Sequence, residues 1–343
     1  MPPLDRPGGG VAGAGAAPPV TGEGRGGRRA LEWLLDRTFA IRPLLWIPAV
    51  AVYGAGRAWE FRVSGRNDFS PGPLASLLLI LAAVHGANAW RDRDGDRRNR
   101  KGLPVVRGLV GGRSLLAVGL GAVLVAAIVA RGASSFEQGL LLVSLVLGVA
   151  YVAPPFELKR RPILDVLSHG AGYGVVAFLL GAAGCGGPWG VGDLRAGSMA
   201  SLPYTLGIMT VSLLTMLADR EGDEQAGQRT TAVALGAGRA AGLSVGLAWG
   251  TMAAGLWALD LTPAVWGILA AAILALGPGL DSRTAASWNA LSIRLQLLFL
   301  VILAPQAPAA FLAAILIAGA TEAYNRWRWG VGYPLRAVGR GGA

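Results

Sequence analysis

Residues 73–96 read PLASLLLILAAVHGANAWRDRDGD. Up to Trp90 the stretch holds no Asp, Glu, Lys or Arg, and at about 1.5 Å per helical residue it comes close to the roughly 30 Å of a bilayer's hydrocarbon core. Arg91, Asp92, Arg93, Asp94 and Asp96 then crowd together, as at the edge of a membrane span. Similar apolar runs recur outward in both directions, giving spans at about 41–57, 73–90, 109–130, 136–153, 164–183, 199–218, 240–259, 262–281 and 295–320. The last contains Pro305 and Pro308 and reads as one kinked helix or two short segments. Hydrocarbon offers an unpaired backbone no partner, and runs this continuously apolar are helices, not barrel strands. The expected fold is all-α: a polytopic membrane bundle of about nine transmembrane helices.

Composition agrees. Of 343 residues 53% are hydrophobic and only 15% charged, with a mean hydropathy of +0.50, which excludes a soluble enzyme. The single Cys185 excludes a disulfide framework and a cysteine-based zinc site, and with only His85 and His169 a histidine-rich metal centre is excluded too. Residues 1–28, rich in Gly, Ala and Pro, read as a disordered tail, residues 29–332 as the membrane domain and 333–343 as a carboxyl-terminal tail.

The net charge of +11 comes from 31 basic residues, of which only Lys101 and Lys159 are lysines, against 20 acids. Basic residues gather in the amino-terminal stretch and in the loops after spans 2, 4, 6 and 8, so that 22 lie on one side of the bilayer and 9 on the other. The positive-inside tendency then places the amino terminus and the loops at 91–108, 154–163, 219–239 and 282–294 in the cytoplasm, in a multi-pass protein of the cell membrane. The loop from Arg97 to Lys101 lacks the interleaved aromatics of a nucleic-acid site, and no nucleic-acid partner is expected.

Charge in the apolar body collects at two places with one internal spacing. Asn88, Asp92 and Asp96 are each four apart as the chain leaves span 2, and Asp219 and Asp223 repeat the step after span 6, with Thr215 one turn earlier. On a continuing helix such residues form a single stripe. Carboxylates at this spacing repel unless a cation lies between them, and hard oxygen donors without thiol or imidazole favour Mg²⁺, which is usually held by one or two carboxylates plus substrate phosphates. The two clusters lie four helices apart, as in a tandem repeat with sites facing across a pseudo-twofold axis. Between them runs Tyr151-Val-Ala-Pro-Pro-Phe-Glu-Leu-Lys159-Arg-Arg-Pro162. Lys159 reads as a compact point charge for phosphate, Arg160 and Arg161 as topogenic anchors. His85 lies three residues before Asn88 and reads first as a packed histidine, with acceptor contact or base chemistry as the alternative. Asp165 and His169 share a helix face with no further constellation around them.

On these residues the chain resembles the UbiA-type intramembrane prenyltransferases over most of its length. Asn88-x3-Asp92-x3-Asp96 with Asn99 and Pro104 is similar to the family's first aspartate motif, and Asp219-Arg-Glu-Gly-Asp223 with Ala226-Gly-Gln-Arg229-Thr230 and Leu235-Gly236 to its second. Tyr151 to Lys159 is similar to the segment between them. The resemblance implies nine helices around a central cavity and transfer of a prenyl group from a prenyl diphosphate to a hydrophobic or aromatic acceptor, an aromatic or quinone precursor first. It implies Mg²⁺ on Asp92, Asp96, Asp219 and Asp223, ligands oriented by Asn88, a leaving group neutralised by Arg42, Lys159 and Arg229, and Tyr151 near the acceptor or diphosphate. One departure stands out: Leu103 replaces the arginine usual before the first motif's proline, leaving Arg100, Lys101 or Arg107 to supply that contact. A prenyl-diphosphate cyclase on the same scaffold and a secondary transporter are the rival readings.

Overall fold

The computed structural model of the chain describes residues 23–98, 103–276 and 283–332. Among the described residues there are helices and no strands. In chain order they are α1 (Glu23–Ala40), α2 (Ile47–Ser64), α3 (Pro71–Arg91), the short α4 (Arg93–Arg98) and α5 (Leu103–Val106), α6 (Gly112–Val129) and α7 (Ser135–Val152). α8 (Leu164–His169), a π turn (Gly170–Val176) and α9 (Ala177–Ala183) form one rod, followed by α10 (Val191–Gln225), α11 (Thr231–Trp257), α12 (Leu261–Leu276), α13 (Ala285–Leu303) and α14 (Pro308–Trp329).

Seven of these stretches are long and apolar enough to cross a membrane: α3, α6, α7, the α8–α9 rod, α10, α11 and α13; α1 and α2, bent by 40° about Ile41 and Arg42, make an eighth as a pair. Among the described residues the predicted spans fall mainly on helices, 277–281 of the eighth lying outside those residues, but the last divides. α13 stops at Leu303 and α14 starts at Pro308, because Pro305 cannot donate the backbone hydrogen bond that would carry the helix on. α13 therefore sets out from one end of the bundle and α14 returns to it. Ser292 of α13 lies 3.1 Å from Thr215, one turn before the second acid pair, while Tyr324 and Arg328 of α14 hold Asp36 of α1. Arg326 and Arg328, counted from the sequence on the sparse side, thus stand at the acid-rich end, which sharpens the charge asymmetry. Arg336 and Arg340 lie outside the described residues.

A second correction concerns the amino terminus. α1 is already helical from Glu23, inside the stretch read as a tail, and residues 1–22 and the tail at 333–343 lie outside the described residues. α1 is amphipathic: Leu31, Trp33 and Leu34 are exposed while Asp36 and Ala40 are buried. That is the pattern of a helix lying along an interface, and it is easily missed where apolar residues begin only at Ala30.

Packing follows residue size. α3 lies along α6 and α7, and α10 along α11 and α13. Exposed Leu116, Leu120, Leu124 and Ile128 stack at four-residue spacing on the outer face of α6, where lipid tails would cover them. α2 and α9 approach more closely still. A Cβ on Gly56 would stand 2.0 Å from the carbonyl oxygen of Phe178, and one on Gly181 2.0 Å from that of Tyr53. Gly181→Ala must separate these backbones, and overpacking of this kind costs about 1–3 kcal/mol. A fall in the thermal unfolding midpoint of the detergent-solubilised protein is expected, whereas Gly121→Ala, where the added Cβ meets nothing within 4 Å, should leave it unchanged. The end remote from the acids is fastened by polar groups: Arg62 and Tyr204 both donate to Asp260, at 3.0 and 2.7 Å, and Gln306 joins Arg62 to Thr262.

Candidate active site

The helices bring both acid motifs to one end of the bundle. At about 1.5 Å per residue the 35 residues of α10 exceed the hydrocarbon thickness, so its last turns, bearing Asp219 and Asp223, project beyond the apolar slab. α3 ends at Arg91 and α4 begins at Arg93, with Asp92 as the joint. The interruption is slight: Asp92 N still donates to Asn88 O at 2.9 Å and Asp96 N to Asp92 O at 2.7 Å, so Asn88, Asp92 and Asp96 keep the stripe their spacing predicts. α4 packs against α10, which sets the two stripes side by side.

Each acid of the first motif meets a cation. Lys159, on a 3-10 turn at Leu158–Arg160, is only 4% exposed, and its Nζ donates to Asn88 Oδ1 at 2.9 Å and to Asp92 Oδ1 at 2.5 Å. Burial pulls its ammonium below the usual lysine range, and the Asp92 carboxylate opposes that pull. Its neighbours differ: Arg160 pairs with Glu157, at 3.6 Å, and Arg161 donates to the Pro155 carbonyl, at 2.9 Å, both from exposed positions. Arg42 pairs with Asp96. It does so from a left-handed backbone (φ 55, ψ 60) at the bend between α1 and α2, a conformation that a non-glycine residue keeps only where its surroundings enforce it.

Two expected residues stand elsewhere. Arg229 is exposed, and the residue before it takes the inner place: Gln228 is buried, with Nε2 3.5 Å from Asp92 Oδ1. The left-handed Gly227 (φ 71) turns the chain so that position 228, and not 229, faces the acids. Arg107, a substitute for the missing arginine at Leu103, instead stacks its guanidinium 4.7 Å from the Trp329 ring centroid. Asn99, Arg100 and Lys101 lie outside the described residues.

Tyr151 closes α7 with its ring edge-on to His169, 5.0 Å between centroids, and within electrostatic reach of Asp92 and Asp223. Asp165, set aside in the sequence, is fully buried and accepts from the Thr231 backbone N at 2.6 Å and from its hydroxyl, joining α8 to the start of α11 behind the second motif. With its partner so far down the chain, Asp165 gave no local signal of this contact.

The donor set Asn88, Asp92, Asp96, Asp219 and Asp223 offers hard oxygens alone and suits a hard divalent cation. Among the described residues no three acids, cysteines or histidines form a ready-made cage for an ion. Mg²⁺ is usually held by one or two carboxylates plus substrate phosphates.

The sequence model of the UbiA prenyltransferase family matches residues 45–301. A lycopene elongase/hydratase of Haloferax volcanii is 31% identical over 64% of this chain and 73% of its own length, and one of Halobacterium salinarum 27% identical over 60% and 73%. Among solved structures, a UbiA homologue of Archaeoglobus fulgidus bound to GPP and Mg²⁺ superposes with a TM-score of 0.60, at 20% identity, over 82% of this chain and 99% of its own. A digeranylgeranylglyceryl phosphate synthase superposes with a TM-score of 0.52, at 15% identity, over 83% and 99%. With the family match covering most of the bundle and the two acid stripes meeting at one end of it, the chain belongs to the UbiA prenyltransferase family.

Proposed function

We propose that the protein binds a prenyl diphosphate with Mg²⁺ at the meeting of Asp92, Asp96, Asp219 and Asp223 and transfers the prenyl group to an apolar polyene acceptor. The observation that carries this reading is the convergence of the two stripes, with Lys159 and Arg42 beside the first. A polyprenyl tail is insoluble and its diphosphate a polyanion, so a charged mouth above an apolar interior serves both ends of the substrate. Between α2, α10, α12 and α13 lies a cavity lined largely by apolar side chains, among them Ile47, Val52, Ile208, Trp266 and Leu300, suited to a hydrocarbon chain.

Bound Mg²⁺ would stabilise the negative charge that builds on the diphosphate as the allylic C–O bond breaks. Lys159 and Arg42 exchange their carboxylate partners for diphosphate oxygens, Asn88 orients the ligands, and the surrounding helices keep water from the allylic cation. The sequence put an aromatic or quinone precursor first as acceptor. The two relatives named as lycopene elongase/hydratases direct the reading to a polyene instead.

A radiolabel assay with GPP or DMAPP and lycopene in detergent, with and without EDTA, tests the function. Labelled product that disappears on chelation and returns with Mg²⁺ is expected. Diphosphate release without an acceptor adduct would favour a cyclase, and no release at all would overturn the reading.

We further propose that the acid-rich end faces the cytoplasm at the cell membrane, on the strength of its basic residues, now including Arg326 and Arg328. Cysteines placed singly in the loops of a Cys185→Ser protein should react with impermeant maleimide only after the membrane is opened. Labelling of a cysteine at position 100 from outside intact cells would reverse the orientation.

A further inference from the structure

A polar chain runs through the apolar interior, away from the diphosphate-binding mouth. His85 of α3 is buried, its Nε2 2.8 Å from Tyr173 Oη, with the two rings stacked at 6.4 Å. Tyr173 in turn stacks on His169, at 5.9 Å, whose Nδ1 lies 2.8 Å from Ser212 Oγ. Such groups are costly within a membrane bundle and tend to be kept where they act. Among the described residues no group hydrogen-bonds His85 Nδ1.

Placement and backbone both single out His85. It shares α3 with the first motif, three residues from Asn88 and seven from Asp92, hence about 10 Å inside the mouth at 1.5 Å per residue. Tyr173 reaches it from the centre of the π turn, an element that often marks functional sites. That turn is pressed onto α10, since a Cβ on Gly174 would stand 2.6 Å from Thr205 and one on Gly170 2.9 Å from Met209.

The chemistry proposed above leaves one requirement unmet. When the allylic cation adds to an acceptor double bond, the C=C electron pair becomes the new C–C bond and the positive charge passes to the acceptor's other alkene carbon. That charge is discharged only when a proton departs, either from a neighbouring carbon, whose C–H pair becomes a C=C bond, or from a water molecule whose oxygen has bonded to the cation. The aspartates of the two motifs lie at the mouth, and buried Asp165 is taken up by Thr231. We propose that His85, positioned by Tyr173, accepts this proton inside the bundle. With Nε2–H donating to Tyr173 Oη, Nδ1 keeps the lone pair that takes the proton, and the imidazole ends the step as imidazolium. The inference rests on the transferase reading.

The test measures diphosphate released and prenylated lycopene formed from the same incubation of full-length protein with DMAPP, Mg²⁺ and lycopene in detergent. In His85→Asn, diphosphate release should stay within a few-fold of wild type, while the ratio of diphosphate to prenylated product rises at least tenfold, because the new C–C bond reverts where no proton is taken and the freed allylic cation is captured by water on reaching the mouth, giving prenyl alcohol. A general base typically contributes about 10²–10⁴-fold, and partial rescue by bulk water accounts for the lower bound. Tyr173→Phe, which keeps the imidazole and removes its partner, should raise the ratio less, and serves as the deciding variant if His85→Asn loses diphosphate release altogether. A wild-type ratio in His85→Asn, or in Tyr173→Phe where that variant decides, overturns the proposal. A wild-type protein that releases no diphosphate overturns the transferase reading instead.

Discussion

Alanine at Asp92 or at Asp219 is expected to lower prenyl transfer by at least about a thousandfold, the counterpart of some 4 kcal/mol of lost transition-state stabilisation. Each substitution removes an oxygen donor from a set of five, and a hard cation has no thiol or imidazole nearby to take instead. Folding should survive. Asp92 is the joint between α3 and α4 and Asp219 lies near the end of α10, both outside the apolar core clusters. Asp92→Ala strips buried Lys159 of one partner and leaves it Asn88, so Asp92→Asn, which retains an acceptor oxygen, separates loss of charge from loss of that hydrogen bond. Membrane insertion and gel-filtration behaviour report folding, and labelled-product formation reports catalysis. Turnover within tenfold of wild type in either alanine variant would refute a metal site shared between the two motifs.

The second large effect belongs to Lys159. Its substitution by alanine should slow diphosphate release by about 10- to 150-fold, equivalent to a charge-assisted hydrogen bond of about 1.5–3 kcal/mol. Arg160→Ala and Arg161→Ala should change it less than twofold, because among the described residues those side chains hold Glu157 and the Pro155 carbonyl, away from the acids. Arginine at 159 keeps the charge but has to fit a planar fork into a site 4% exposed, so an intermediate rate is expected. Equal, small effects at all three positions would mean that the segment is a topogenic signal alone, and the diphosphate contact would have to be sought at Arg42.

What was legible in the sequence was what a helix repeats locally. Apolar runs gave the spans, and four-residue spacing gave the two acid stripes, which survive even the one-residue interruption at Asp92. Lys159, one of only two lysines in an arginine-rich chain, is the cation that the structure buries against Asn88 and Asp92. What stayed hidden depends on residues distant in the chain or on a single backbone angle. The φ of Gly227 decides whether Gln228 or Arg229 faces the acids, and the spacing of motif residues carries no information about it. The link from His85 to Tyr173 spans 88 residues and needs a π turn that hydropathy cannot register. The reversal at Ala304–Ala307 was signalled by two prolines, yet whether the chain doubled back or merely kinked was settled by Asp36, nearly three hundred residues away.

That last contact carries a consequence for what counts as the minimal working unit. Arg328 grips Asp36 with two hydrogen bonds of 3.0 Å, Tyr324 adds one of 2.7 Å, and the Tyr324 ring lies flat on Phe39 at 4.0 Å. The first and last helices are thereby buckled together, and the buckle stands a few residues from Arg42, the partner of Asp96. Both halves of it fall outside residues 45–301, the part shared with the family at large. A fragment cut to those limits would contain every aspartate of the two motifs and Lys159, yet it would lose Arg42 and the strap that fixes the bend beneath it. A motif-complete chain is therefore not a mouth-complete one, and sequence outside the common core would be free to set how firmly that rim is held from one relative to the next.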